Sequence, residues 1–222
     1  MLVGWGVLIE AMNTPNVDLF YSLSSPWAYL GGPELDGIIK RNHVRLIFKP
    51  YDFQKAVPLT GGIPLRTRPQ ARKTYHALEL ERWRQYLGMP LNLEPKYYRH
   101  DGQPPDWNKQ AGWMVIAAQL QGLNAELLSH AILRALWAEE RDIADPAVRQ
   151  AIGNENGYNG AALVALERSE AVQSQYAANT EEAQRVGIFG SPIYVFSGER
   201  FWGQDRLHFL ERALLKADNN AG

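Results

Sequence analysis

The stretch "GIFGSPIYVFSGERFWGQDRL", residues 187–207, carries the pattern that decides the fold. Ile193 to Ser197 and Arg200 to Trp202 are short apolar, aromatic and β-branched runs on either side of Ser197-Gly198, so the pattern predicts a hairpin. Gly203 closes it, and Gln204-Asp205 stand at the entrance to a last helix expected from about Arg206 to Lys216. Immediately before the first of these strands sits Gly190-Ser191-Pro192, a Ser-Pro pair with a counterpart near the start of the chain.

That counterpart lies in "YSLSSPWAYLGG", Tyr21 to Gly32, where a strand-like stretch runs into a helix-like one through Ser25-Pro26. Val17 to Ser22 and Val44 to Lys49 are bounded by turn formers and predict strands. Between them Trp27, Leu30, Leu35, Ile38 and Ile39 share roughly one helical face, so the unit is strand, helix, parallel strand. From about Arg68 to Arg185 the pattern is helical, with stops at Gly88-Met89-Pro90, the Gly102 to Pro105 turn, Gly122, and Gly153 to Gly160. The order β-α-β, helical block, β-β-α is that of an α/β, thioredoxin-like fold with a large all-helical domain inserted between its halves. The expected boundaries are residues 17–60 and 186–222 for the thioredoxin-like part and 61–185 for the insert. Val57 to Pro69 serves as the entry linker and Gly187 to Pro192 as the return, and residues 1–16 are expected to be a disordered or extraneous lead.

Composition narrows the chemistry. The 222-residue chain has no cysteine, which excludes a disulfide framework, a thiolate zinc site and a catalytic Cys-x-x-Cys pair. Any sulfur chemistry needs a thiol from outside. The net charge is −1, with Lys and Arg spread along the helical stretches, so neither a nucleic acid nor an anionic membrane is an expected partner. Leu2 to Ile9 is apolar but too short to span a bilayer, has no preceding basic residue, and has no small-x-small cleavage site before Met12. A soluble, cytoplasmic protein is expected. His43, His76, His100, His130 and His208 show no paired ligand spacing, so no metal is assigned. Trp83, Trp107, Trp113 and Trp137 are expected in the core, and Arg66, Arg68 and Arg72 on a solvated basic face rather than against a substrate carboxylate.

Ser25-Pro26 is first a good helix start, since serine is a favoured N-cap and proline is tolerated in the first turn. In a thioredoxin-like arrangement, however, a cis-proline before the returning strand faces that helix start. The residue ahead of it, here Ser191 before Pro192, offers backbone N–H and C=O to an extended ligand. Two Ser-Pro pairs in these two places point to a site. Asp205 can be a plain N-cap. The same geometry would also hold an α-amino acid head, its carboxylate on the free N–H groups and its ammonium on Asp205.

With these residues in place, the sequence resembles the 2-hydroxychromene-2-carboxylate isomerases, grouped with kappa-class glutathione transferases in the DsbA-like branch of the thioredoxin fold. The likeness runs from about Val17 to Leu215. It rests on "SSPWAYLG", "GGIPLRTRPQARKTYHALELERWRQYLGMPLNL", "LWAEERDIAD" and, most specifically, "GIFGSPIYVFSGERFWGQDRL". By this resemblance Ser25 takes the place of the first cysteine of redox relatives and of the catalytic serine of the isomerases, and Ala28 that of the second cysteine. It implies glutathione as cofactor, with its thiol at Ser25, its cysteinyl backbone on Ser191 beside Pro192, and its γ-glutamyl end near Gln204 and Asp205. The loop "AVPLTGGIPLRTRP" has no asparagine of the kind family members use there to hold glutathione, and Lys49 or the backbone of Gly61 and Gly62 is the expected replacement. The implied substrate is a small electrophile of aromatic carboxylate type, and a homodimer is compatible with the likeness. The rivals are a glutathione transferase and a non-catalytic thioredoxin-like protein that binds extended peptides beside Pro192.

A serine at the helix start has a chemical rationale in this setting. A cysteine-like thiol has a pKa of about 8.5, and lowering it by roughly two units takes about 2.7 kcal/mol of added anion stabilisation. A charge-assisted hydrogen bond supplies about 1.5 to 3 kcal/mol and a helix N-terminus up to about 2. Unlike cysteine, serine forms no mixed disulfide with the thiol it activates.

Overall fold

The computed structural model describes residues 14–98 and 107–221. The lead expected over residues 1–16 thus falls outside the described residues as far as residue 13, and so does the Gly102 to Pro105 turn.

Strand β1 (Asn16–Tyr21) sends Val17, Leu19 and Tyr21 into one apolar layer and Phe20 into another, the period-two alternation of a strand covered on both faces. The chain then turns at Ser25, whose extended backbone (φ −81°, ψ 117°) and side-chain bond from the Ala28 N–H (3.2 Å) make it the N-cap of helix α1 (Pro26–Arg41). Pro26 loses nothing in the first turn, and Lys40 and Arg41 complement the dipole in the last. Strand β2 (Arg45–Pro50) returns parallel to β1, pairing Asn16 with Arg45 through to Tyr21 with Pro50.

The returning half forms as the sequence predicts, with one difference. Strands β3 (Ile193–Phe196) and β4 (Glu199–Trp202) are antiparallel and joined by Ser197 (φ 49°) and Gly198 (φ 80°), so Ser197 belongs to the turn. Two successive positive-φ residues match the twist of a two-residue hairpin. Strand β3 lies antiparallel on β1, and the sheet order is β2-β1-β3-β4. A 3-10 turn (Gln204–Arg206) leads into helix α9 (Leu207–Ala221).

Between β2 and β3 lie α2 (Phe53–Ala56), α3 (Gln70–Leu87), α4 (Lys109–Leu120), α5 (Ala125–Trp137), α6 (Pro146–Glu155), α7 (Gly160–Leu166) and α8 (Glu170–Arg185). Asn124, Asp145, Asn159 and Ser169 cap the starts of α5 to α8 with their side chains. Helix α4 is buried from Ala111 through Ala118 and covers the outer side of β2, where the Gln119 amide accepts from the Phe48 N–H (2.9 Å) and donates to the Phe48 C=O (3.2 Å). A side chain thereby satisfies an edge strand that would otherwise expose its ladder groups. Trp107, Trp113 and Trp137 are buried and Trp83 is packed against the same core, as expected for tryptophans of the helical block. No helix among the described residues is long and apolar enough to cross a membrane.

Candidate active site

The two Ser-Pro pairs meet at the C-terminal end of the parallel strands. Ser25 Oγ, 6% exposed as a residue, donates to the Ser191 carbonyl at 3.1 Å while accepting from the Ala28 N–H. The Ser191-Pro192 peptide is cis, and Ser191 Oγ accepts from the Ser22 N–H at 2.9 Å. Tyr51, just past β2, donates from its hydroxyl to the Gly190 carbonyl at 2.7 Å. Three segments distant in sequence are therefore pinned to one another around the hydroxyl of Ser25.

They form the floor of a cleft whose inner volume is about 120 Å³. One wall comes from residues outside the two Ser-Pro pairs. Asn108, at the start of α4, donates from Nδ2 to Ser22 Oγ at 2.7 Å, and Ser22 Oγ lies 3.0 Å from Ser24 Oγ. Opposite, the Trp27 indole N–H donates to His76 Nε2 at 3.2 Å, so the neutral ring carries its proton on Nδ1. Burial, reinforced by the neighbouring Arg68 cation, pushes the His76 pKa down to about 4. Arg68 and Lys109 line the cleft, against Asp52 as its acidic residue, and Trp202 stands beside Gly190 at the rim.

The other expected site residues separate. Lys49 is not a cleft residue: its ammonium is held by Asp18 (2.9 Å) and Glu182 (2.7 Å) and also lies over the Phe20 ring. The alternation of β2 turns Lys49 away from the cleft, which corrects its expected role. Gly61 has open space around it and Gly62 is pressed against the Phe189 carbonyl, so these two glycines do not line the cavity, whereas Leu65 and Arg68 of the same loop do. Gln204 is buried against Gly31 of α1, while Asp205 pairs with Arg206 at the surface, and neither lines the inner cleft. The Gly203 N–H bonds the Pro192 carbonyl at 3.0 Å, so both follow directly on the residue that flanks the cis-proline. Pro192 itself faces a second cavity. Of the three arginines expected on a solvated face, Arg66 and Arg72 are exposed and Arg68 turns into the cleft.

A serine at the first helix start, facing a cis-proline loop across a β-α-β and β-β-α sheet, agrees with the family match: the model of the DSBA-like thioredoxin domain aligns with residues 16–215. The chain belongs to this family. Among curated proteins it is similar to the 2-hydroxychromene-2-carboxylate isomerase of Sphingobium xenophagum, 28% identical over 91% of this chain and 99% of the relative. Among solved structures it resembles a 2-hydroxychromene-2-carboxylate isomerase with a TM-score of 0.75 and 23% identity, covering 93% of this chain and 97% of the other. The cytosolic disulfide reductase DsbM from Pseudomonas aeruginosa with GSH aligns with a TM-score of 0.64 and 20% identity, over 92% of this chain and 99% of that one. At these identities the structural likenesses speak for the fold. Within it, Ser25 and Ala28 leave this chain with no sulfur at the helix start.

Proposed function

We propose that the protein is a glutathione-dependent isomerase of the 2-hydroxychromene-2-carboxylate isomerase type, with Ser25 as the residue that stabilises the thiolate. The observation that carries this reading is the Ser25 hydroxyl, held at the N-terminus of α1 within hydrogen-bond reach of the Ser191 carbonyl. The curated relative's name and nearly full-length coverage support the isomerase class, and the DsbM structure with GSH supports the choice of thiol.

The residues present fit glutathione. Ser25 is a hydroxyl donor at the positive end of a helix, and the Ser191 carbonyl it now engages is the acceptor that an extended ligand's N–H would take. An inner cavity of about 120 Å³ suits a thiol side chain, and the rest of the tripeptide would extend past Trp202 at the rim toward the exposed Asp205. There an ammonium would compete with Arg206 for the Asp205 carboxylate. Bound in this way, glutathione would supply a sulfur nucleophile for reversible addition to an electron-poor alkene, freeing the former double bond to rotate before it is restored.

The chain's own groups do the rest. When the Ser191 carbonyl turns to the ligand, Ser25 swings its O–H toward sulfur and, with the helix terminus, favours the anion there. Arg68 and Lys109 bring positive charge to the cavity, where a substrate carboxylate and developing negative charge are stabilised. His76, neutral with its Nε2 occupied by Trp27, adds no charge to that balance at neutral pH. Titration with reduced glutathione, followed by the ultraviolet difference absorbance of its thiolate, tests the reading together with turnover of 2-hydroxychromene-2-carboxylate. Absence of binding at millimolar glutathione, or binding with no turnover of that substrate, would overturn it.

A further inference from the structure

A second cavity, of about 410 Å³, lies between the sheet and helices α1 and α5. Close-packed interiors leave few voids larger than a water molecule, and this volume lies within the range of about 300 to 1,000 Å³ typical of small-molecule pockets. Leu19, Phe48 and Tyr194 line it from the sheet, and Leu35 and Leu133 from the helices. All five are buried residues, so the cavity is an interior space with an apolar body.

Two polar groups stand in that apolar wall. The Tyr21 hydroxyl, on a residue 0% exposed, and Ser129 Oγ, on one 3% exposed, bond each other at 2.8 Å. Two hydroxyls carry two O–H donors, and their mutual bond uses one of them. Among the described residues neither oxygen has a further partner, so whichever way the bond runs, one O–H is left over in the cavity wall. Burial pushes the Tyr21 pKa up, so the phenol keeps its proton and the surplus donor persists. A buried donor without an acceptor costs free energy, and folded proteins retain few of them.

Charge is already matched at the solvent end, where the exposed Lys40 ammonium bonds the Asp36 carboxylate at 2.7 Å. Glu126 lines the same end, and His130, kept uncharged by burial and by Arg134, adds no cation at neutral pH. An acid finds no free cation in this wall, and the place of an amine beside Asp36 is taken by Lys40.

We infer that this cavity binds a neutral, flat aromatic carbonyl compound, its rings among Phe48, Tyr194 and the leucines and its C=O accepting the spare O–H of the Tyr21–Ser129 pair. The aromatic side chains select a ring system, which they can meet edge-on or offset-stacked. The lone buried donor selects a carbonyl, which supplies an acceptor without bringing a further donor to be satisfied. The cavity also reaches Pro192, so its occupant touches the residue next to Ser191.

Equilibrium dialysis of the protein with 2-acetylnaphthalene, with naphthalene, which lacks the acceptor, and with the acid 2-naphthoate, all without glutathione, tests this independently of the isomerase reading. The ketone should bind at about pH 8, and the acid at least tenfold more weakly, since its buried charge would have no partner. Tyr21→Phe and Ser129→Ala each leave one O–H in the wall, so either single variant should hold the ketone within about twofold of the unmodified protein. The double variant has no O–H there and should bind the ketone about fivefold or more weakly, with naphthalene affinity unchanged. Leu133→Trp, which fills the apolar body, should abolish binding of both neutral compounds while thermal melts show a folded protein. The proposal is overturned by no ketone binding at concentrations approaching millimolar, by equal affinity for ketone and acid, by a double variant that keeps its ketone affinity or loses naphthalene equally, or by unchanged binding in a folded Leu133→Trp protein.

Discussion

The hydroxyl of Ser25 donates to the carbonyl of Ser191 at 3.1 Å, joining the first turn of α1 to a segment 166 residues later. The same hydroxyl caps the helix by accepting from the Ala28 N–H and stands on the floor of the cleft, so one group serves the helix, the Ser191 segment and the cavity. A substitution at Ser25 mixes these roles unless the replacement separates them.

Glycine separates them. It is nearly as good an N-cap as serine, costing a few tenths of a kcal/mol, whereas alanine costs about 1. Both remove the hydroxyl. Ser25→Ala and Ser25→Gly should each raise the pKa of bound glutathione by about one to two units and lower turnover near neutral pH roughly ten- to hundredfold, with partial recovery at alkaline pH. Only the alanine variant should melt appreciably earlier. Coincident thiolate titration curves for Ser25→Gly and the unmodified protein would remove Ser25 from the chemistry.

His76 should make stability fall with acid. Its folded pKa is pushed down from the ordinary 6.5 to about 4 by burial and then by Arg68, so the unfolded chain binds a proton that the folded chain refuses. The folded state is then favoured above the unfolded pKa and loses ground as pH falls from about 6.5 toward about 4. His130, also pushed down by burial, acts in the same direction. His76→Gln should flatten part of the decline in melting temperature over that window, and Arg68→Gln should raise the His76 pKa in a proton NMR titration. An ordinary His76 pKa near 6.5 would show that the ring is not held neutral by its surroundings.

The fold was legible because its signals are local. Ser25-Pro26, Ser197-Gly198 and the apolar runs around them each specify a cap, a turn or a strand within a few residues. The serine pair of the site was legible for the same reason: it follows from where those local elements must fall in a β-α-β and β-β-α sheet. Asn108, Arg68, His76 and Tyr51 were not, because nothing near them in sequence says which wall of a tertiary cleft they reach. Lys49 failed for a different reason. A lone lysine in a strand looks available until Asp18 and Glu182, from β1 and α8, are found to hold it.

Arg149 and Glu167 form a bidentate pair at 2.7 Å on both arms, with side chains 2% and 5% exposed, and Arg149 also donates to the carbonyls of Ile143 and Ala144. Removing one partner leaves a charge in a dry site, so Arg149→Met or Glu167→Leu should cost about 3 to 5 kcal/mol. The joint replacement Arg149→Met with Glu167→Leu should cost less than the sum of the single changes, since no charge remains unpaired. Urea denaturation of the three variants measures this. Additive losses would mean that the two side chains act independently.

Gly190 sets the position of Trp202 at the cleft rim. A Cβ at residue 190 would lie 2.5 Å from Trp202 Nε1 and 3.2 Å from its Cδ1 and Cε2, so the indole must move. Trp202 is 48% exposed and has room to swing outward, so Gly190→Ala should cost only about 1 kcal/mol of stability. The backbone at Gly190 is held from the other side by the Tyr51 hydroxyl and is not free to shift in compensation. A displaced indole opens one wall of the groove, and glutathione affinity should fall several-fold. Trp202→Ala should weaken binding by a similar factor, and adding Gly190→Ala to it should then change little, because the ring that the new methyl disturbs is gone. Glutathione titrations of the single and double variants give the coupling directly: equal losses from Gly190→Ala with and without the tryptophan would mean that residue 190 acts through the Ser191 backbone instead.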